Sequence, residues 1–362
     1  MLEVALKLLE KITECGFKAY IVGGFVRDHI LDIESNDIDI TTNATPKEIK
    51  EIFEDSCLPS EDYGSVTVIM KGIRFEITTF RKEIGYIDNR RPAEIKYIDD
   101  LYQDLLRRDF TINTICINDE GEIIDYLDGQ SDLKRRVIKT VGVAKERFEE
   151  DCLRILRAVR FATILGFDLD EEVVQAIRDT KGLLKGLSFT RKREELDKIF
   201  SSSNAEIGIK LLLDLGLDKC LDIENLDEVD SVSNLIGVWS VLKVSDKYPF
   251  SSNERELISQ IRMALEHNNL APDVLYKYGL YANSVAGQIK GLNIKEITEA
   301  YNGLVIQSRK DLNITTDDIL NALNKEPGGF LKDVYMDIEK AVLYKKLDNE
   351  KDKIIQYIMD RY

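Results

Sequence analysis

The sequence predicts an α+β protein: a mixed-sheet head followed by a long helical stem. Short stretches rich in β-branched and aromatic residues recur through the first 140 residues or so and then fade. Beyond residue 144, apolar residues recur instead at helical spacing. At 362 residues and 44% hydrophobic, the chain is long enough for two or three units, each with its own core.

Taken in order, Leu2, Leu6, Leu9 and Ile12 mark an amphipathic first helix rather than a signal peptide. Strands are expected at 19–22, 37–41, 65–70, 73–80, 123–127 and 137–141. Thr45-Pro46 opens a helix with proline at its first position. Helices are then expected at 144–165, 171–180, 191–201 and 205–215, with breaks at Gly166, Gly182, Gly186 and Gly216. The remainder reads helical, with gaps near 249–253, Pro272 and 326–329. This gives a head over 1–140, a helical connection over 141–200 and a helical remainder over 201–362.

Composition excludes several functions. No apolar run approaches the roughly 20 residues that span a bilayer; the longest, 235–242, is far shorter, so no membrane is expected. The five cysteines are scattered without a Cys-x-x-Cys pair, which argues for a reduced, cytoplasmic setting. Two histidines, His29 and His267, do not build a histidine-rich metal site. Any metal is therefore a hard ion such as Mg²⁺ held by carboxylates. A net charge of −16 opposes non-specific coating of nucleic acid, yet basic clusters at Arg107-Arg108, Lys134-Arg135-Arg136 and Arg191-Lys192-Arg193 allow a local basic groove.

Two patterns point to chemistry. Tyr20-Ile21-Val22-Gly23-Gly24-Phe25-Val26-Arg27 passes from strand through Gly-Gly to helix, a turn where backbone can approach a phosphate and Arg27 can reach it. Asn36-Asp37-Ile38-Asp39-Ile40 then places two carboxylates at i and i+2 of a strand, on one face. Bare carboxylates side by side repel, so a divalent cation is expected between Asp37 and Asp39. Glu76, on the next strand, is the candidate third carboxylate for two-metal phosphoryl transfer.

Together with Arg107-Arg108-Asp109-Phe110-Thr111-Ile112-Asn113, these segments closely resemble the class II tRNA nucleotidyltransferase and bacterial poly(A) polymerase family. The resemblance continues through 125–133, through Glu150-Asp151-Cys152-Leu153-Arg154 and through Ser188-Phe189-Thr190-Arg191-Lys192-Arg193-Glu194-Glu195-Leu196. In the last segment Thr190 and Lys192 stand where the family has Glu and Ile. The resemblance implies a polymerase-β-like nucleotidyltransferase head followed by helical neck, body and tail. It implies metal binding and catalysis by Asp37 and Asp39, and nucleotide contacts from Gly24, Arg27, Arg108, Asp151, Arg154, Arg157 and Arg160. Asp109 is expected to supply a ribose contact.

Base choice has a physical rationale. Asp151 and Arg154, at i and i+3 of the expected helix, pair an acceptor with a donor. Cytosine and adenine both present an exocyclic amine beside an unprotonated ring nitrogen; uracil and guanine present the reverse. A fixed acceptor–donor pair welcomes C and A, and each mispaired group costs about 1–3 kcal/mol. Arg157 and Arg160 continue the three-residue step, so Arg160 faces roughly half a turn from Asp151.

Residues 81–92 resemble the family's flexible loop at full length, which disfavours CC-only addition. The chain lacks the basic extensions of poly(A) polymerases. Addition of CCA to tRNA 3′ ends from CTP and ATP is therefore expected, with A-only or poly(A) synthesis as the alternative. A small-molecule nucleotidyltransferase or a non-catalytic RNA-binding protein fits less well. No protein partner is expected.

Overall fold

Isoleucine and valine at alternate positions build the central sheet of the chain's first unit. The computed structural model describes residues 1–35, 37–54, 57–58, 64–87, 91–229 and 234–362. It divides into Met1–Ile223 and Glu224–Tyr362.

The first unit begins with α1 (Leu2–Glu14), β1 (Ala19–Val22), α2 (Gly24–Ile30), β2 (Ile38–Thr42) and α3 (Pro46–Ile52). Then come β3 (Cys57–Leu58), β4 (Ser65–Met70), β5 (Ile73–Thr79) and a hairpin of β6 (Arg81–Ile87) and β7 (Arg91–Tyr97). Next are α4 (Leu101–Leu106), β8 (Cys116–Ile117), β9 (Ile123–Ile124), α5 (Gly129–Arg135) and β10 (Val137–Ile138). The helical part holds α6 (Ala144–Glu150), α7 (Leu153–Leu165), a short β11 (Asp168–Leu169), α8 (Glu171–Thr180), α9 (Phe189–Phe200) and α10 (Ala205–Asp214).

The main sheet runs β3-β4-β5-β2-β1-β8-β9. Its pairs are antiparallel except β2 with β5. Val66, Ile77, Ile40, Ile21 and Ile117 stand opposite one another across neighbouring strands, all buried. Side chains alternate, so the other face receives the row Thr67, Glu76, Asp39 and Val22. There Val22 packs with Leu101 and Leu105 of α4. The first face is apolar throughout this row, while the second carries Glu76 and Asp39 beside a smaller apolar cluster.

Three expectations change. The strand expected at 37–41 pairs at 38–42, leaving Asp37 just outside it. The segment expected as a flexible loop, 81–92, forms the paired strands β6 and β7; its residues 88–90 lie outside the described residues. The continuous helix expected at 144–165 is broken: α6 ends at Glu150, and Asp151 is extended (φ −140°, ψ 101°). Its carboxylate instead accepts the Leu153 N–H at 3.0 Å, capping α7. Asp151 and Arg154 are therefore not neighbours on one helix.

The second unit is mainly helical, and two cores stand out among its described residues. One gathers Ile261, Ala264, Ala282 and Ala286, and the other Ile319, Val334, Ile338, Val342, Ile354 and Ile358. The expected gaps near Pro272 and 249–253 are helix starts: Pro272 is the first residue of its helix, and Ser251 with Glu254 forms a capping box.

Gly23 joins β1 to α2 at φ +83°, ψ −138°, a conformation open essentially to glycine. Gly23→Ala is expected to cost about 1–3 kcal/mol, read as a lower thermal midpoint; an unchanged midpoint contradicts this account of the turn.

Candidate active site

Strand β2 delivers the carboxylate pair. Asp39 stands opposite Val22 of β1 and beside Glu76 of β5. Asp37 is exposed and Asp39 half-buried, and both line a cavity of about 820 Å³. Burial and the charge of Asp37 raise the Asp39 pKa, Glu76 adds to this, and Arg108 offsets part of it. The result is a carboxyl pushed up to about 6. Two carboxylates with charge this poorly compensated suit a hard divalent cation. Among the described residues no three His, Cys, Asp or Glu side chains converge to hold a metal, so Glu76 sits beside Asp39 without completing a third ligand.

The cavity floor is bare backbone. A Cβ on Gly23 would lie 3.5 Å from Asp39 Oδ2 and 3.7 Å from Arg108 Nη1. Eight arginines and five carboxylates line the cavity. A chain of net charge −16 thus turns locally cationic here, and the overall sign does not decide what this surface binds.

Each arginine is aimed by a partner. Arg27 donates to Asn113 Oδ1 at 2.8 Å and to Asp28 at 2.8 Å. Asn113 in turn donates to Asp109 Oδ1 at 3.0 Å, and Arg157 donates to Asp109 Oδ2 at 2.7 Å. Burial alone would raise the Asp109 pKa, but Arg157, Asn113 and the Phe110 amide hold it well below the usual carboxylate range. Asp109 lines the cavity and anchors Arg157, with its Oδ1 accepting the Phe110 amide and Asn113 and its Oδ2 accepting Arg157. Arg160 donates to Glu195 of α9 at 3.1 Å. Arg27, Arg157 and Arg160 surround the Phe161 ring at 5.1, 5.3 and 4.4 Å from its centroid.

Arg154 donates to the Arg107 carbonyl at 3.0 Å, the Arg147 carbonyl at 3.1 Å and Glu150 at 3.0 Å. That uses three of its five donors. The three arginines of α7 thus fan toward different partners, as the three-residue step predicts. Gly24, Arg27, Asp37, Asp39, Arg108, Asp151, Arg154, Arg157 and Arg160 all line the one cavity. Arg81, Glu83 and Tyr86 of the hairpin, and Ser188 and Arg191 at the start of α9, line it too; the sequence reading named their segments and assigned these side chains no role in the site. Tyr86 donates to Glu83 at 2.9 Å, and burial together with Glu83 pushes its hydroxyl up to about 12.

Residues 19–139 match the family model of the poly(A) polymerase head domain, which makes the protein a nucleotidyltransferase. Residues 166–221 match the RNA- and SrmB-binding region of polymerase A, and 241–358 match tRNA nucleotidyltransferase domain 2. The CCA-adding enzyme of Staphylococcus haemolyticus is 35% identical, over 98% of this chain and 96% of its own length. That of Staphylococcus aureus strain MRSA252 is 34% identical, over 99% and 98%. The Bacillus stearothermophilus CCA-adding enzyme, solved in complex with CTP, superposes with a TM-score of 0.87 at 28% identity, covering 99% of this chain and 97% of that one. The chain belongs to the CCA-adding enzyme family.

The raised pKa of Asp39 fixes a sign. Its proton is favoured in the folded, metal-free protein, and a bound cation must displace it. Mn²⁺ affinity, read by electron paramagnetic resonance, is expected to fall as pH drops through about 6. Asp37→Asn is expected to lower the Asp39 pKa, since it removes a charge that raises it. Metal affinity flat from pH 5 to 8, or an Asp39 pKa unmoved in the variant, contradicts this electrostatic picture.

Proposed function

We propose that the protein adds CCA to tRNA 3′ ends from CTP and ATP without a nucleic-acid template. One observation carries this: the pair Asp37 and Asp39 shares its cavity with Asp151 and Arg154, which come from a different part of the chain. A small-molecule nucleotidyltransferase needs the first pair and has no use for the second. The names of the relatives support the same reading.

Divalent metal dependence is general among nucleotidyltransferases, and we assign the ion here as Mg²⁺ held by Asp37 and Asp39. When bound, it neutralises triphosphate charge and lowers the pKa of the attacking hydroxyl. The protein's own residues do the positioning. Bare backbone at Gly23 and Gly24 lets the triphosphate approach closely. Arg108 stands over that backbone, and Arg27, Arg157 and Arg160 give the phosphates a cationic wall around Phe161. Asp151 accepts from the exocyclic amine of cytosine or adenine, and Arg154 donates to the adjacent ring nitrogen with one of its two remaining donors. Uracil and guanine set donor against donor and acceptor against acceptor.

The head at 1–140 performs the chemistry, the neck at 141–200 carries the base-reading pair, and the helical body and tail at 201–362 grip the tRNA. No helix is long and apolar enough to cross a membrane among the described residues, which suits a cytoplasmic setting.

The test offers acceptors in parallel: tRNA ending at the discriminator base, tRNA ending in CC, unstructured RNA and an aminoglycoside. Two C and one A added to the first tRNA, then arrest, is the expected result. ATP incorporation only into the CC-ended tRNA converts the reading to A-only addition, and long tracts on unstructured RNA convert it to poly(A) synthesis. Asp37→Ala is expected to abolish turnover while tRNA binding, measured by gel shift, persists; residual turnover near wild type contradicts the catalytic assignment.

A further inference from the structure

We infer that Asp104, a carboxylate outside the cavity wall, is a positioning residue that sets both halves of the site: it aims Arg108 over the carboxylate pair and holds Arg107 so that its carbonyl fixes Arg154. The inference rests on the reading of the cavity as a CTP- and ATP-selecting site.

Asp104 lies in the last turn of α4 and has no exposed surface. An isolated buried carboxylate is costly, and here four groups converge on it. Its Oδ1 accepts the Arg81 backbone N–H at 3.0 Å and Arg107 Nε at 2.8 Å. Its Oδ2 accepts the Thr41 hydroxyl at 3.3 Å and lies 3.5 Å from Arg108 Nη2. Burial raises its pKa, but Arg107, Arg108 and the Arg81 amide outweigh that and keep it ionised.

The donors come from the parts of the head that meet at the site. Thr41 is two residues beyond Asp39 on β2 and so shares its face. Arg81 begins the hairpin whose Glu83 and Tyr86 line the cavity. Arg107 and Arg108 sit at i+3 and i+4 from Asp104, the helical spacing that brings side chains together.

Two routes lead from this carboxylate to the chemistry. Asp104 is the one carboxylate in an ion pair with Arg108 among the described residues, while Arg108 Nε has no partner and Nη1 lies by Gly23 next to Asp39. The charge over the cavity floor is therefore aimed from behind by Asp104. Along the second route, Arg107 is pinned by Asp104 through its side chain, and its carbonyl accepts Arg154 at 3.0 Å and Arg147 at 2.7 Å. Asparagine at 104 would keep the shape, lose the charge and turn an amide donor toward the guanidiniums. Both routes would slacken together.

The test uses full-length Asp104→Asn with tRNA lacking CCA, after the wild type has been shown to add CCA to it. A wild type that fails there defeats the functional reading; a wild type that succeeds leaves only this inference at stake. In the folded variant, the KM for CTP and the ratio of UTP to CTP incorporation are each expected to rise about tenfold, the loss of hydrogen bonds to a charged group. The selectivity change is expected to vanish in an Arg154→Ala background, because Asp104 acts on selection through Arg154. A purely structural role lowers the folded fraction and leaves KM and selectivity alone, and that outcome overturns the inference, as does a selectivity effect fully additive with Arg154→Ala. If Asp104→Asn does not fold, Thr41→Val releases one Oδ2 donor at similar shape. It is expected to raise the KM about two- to threefold, and a wild-type KM overturns the inference.

Discussion

The carbonyl oxygen of Arg107, at the end of α4, joins that helix to α6 and α7. It accepts Arg147 of α6 at 2.7 Å and Arg154 of α7 at 3.0 Å, and Arg147 also donates to the Arg108 carbonyl at 2.9 Å. A guanidinium only donates, so a buried one needs acceptors, and each left unmet costs about 1–3 kcal/mol. Two arginines buried below one tenth exposure thus bind the start of the neck to the end of α4. The chain breaks its helix at Asp151 between them, which turns that residue toward the cavity while its neighbours stay anchored.

The same logic runs through the rest of the site. The cavity wall holds cations close together, and cations repel. Carboxylates set behind them resolve this: Asp104 behind Arg107 and Arg108, Asp109 behind Arg157, Glu195 behind Arg160. Phe161 offers its ring to three guanidiniums at once, a contact that tolerates charge without adding any. Asp37 and Asp39 are the exception. Among the described residues neither makes an ion pair in the way Asp104 and Asp109 do, and the Asp39 proton affinity rises accordingly. The distribution separates carboxylates paired with arginines from the pair Asp37 and Asp39.

Much of this was legible in the sequence, and the limits have physical causes. Asp37 and Asp39 do line one cavity, although Asp37 lies just outside the strand, and the strand-to-helix turn at Gly23 stands where it was read. The strand at 19–22 and the helix at 171–180 were read with the bounds they have. The helix break at Asp151 was missed because apolar periodicity continues across it, through Phe148 to Ile155; an aspartate before Cys-Leu was the available N-cap signal. The hairpin was taken for a loop from its resemblance to the family's flexible loop, and β6 has no buried face whose period would have marked it as a strand. Pairings such as Arg27 with Asn113 and Arg160 with Glu195 join residues 86 and 35 positions apart, and no local spacing encodes them. Asp104 with Arg107 and Arg108 was different: i, i+3 and i+4 stood in the sequence and went unread.

In the proposed function two side chains, Asp151 and Arg154, replace a template, one accepting and one donating. The direct measurement is kcat/KM for CTP, ATP, UTP and GTP on a tRNA acceptor, for wild type, Asp151→Asn and Arg154→Ala. The account predicts that both variants lose discrimination against UTP and GTP by more than they lose turnover with CTP and ATP. Rejection of UTP and GTP at wild-type levels in both variants would contradict it.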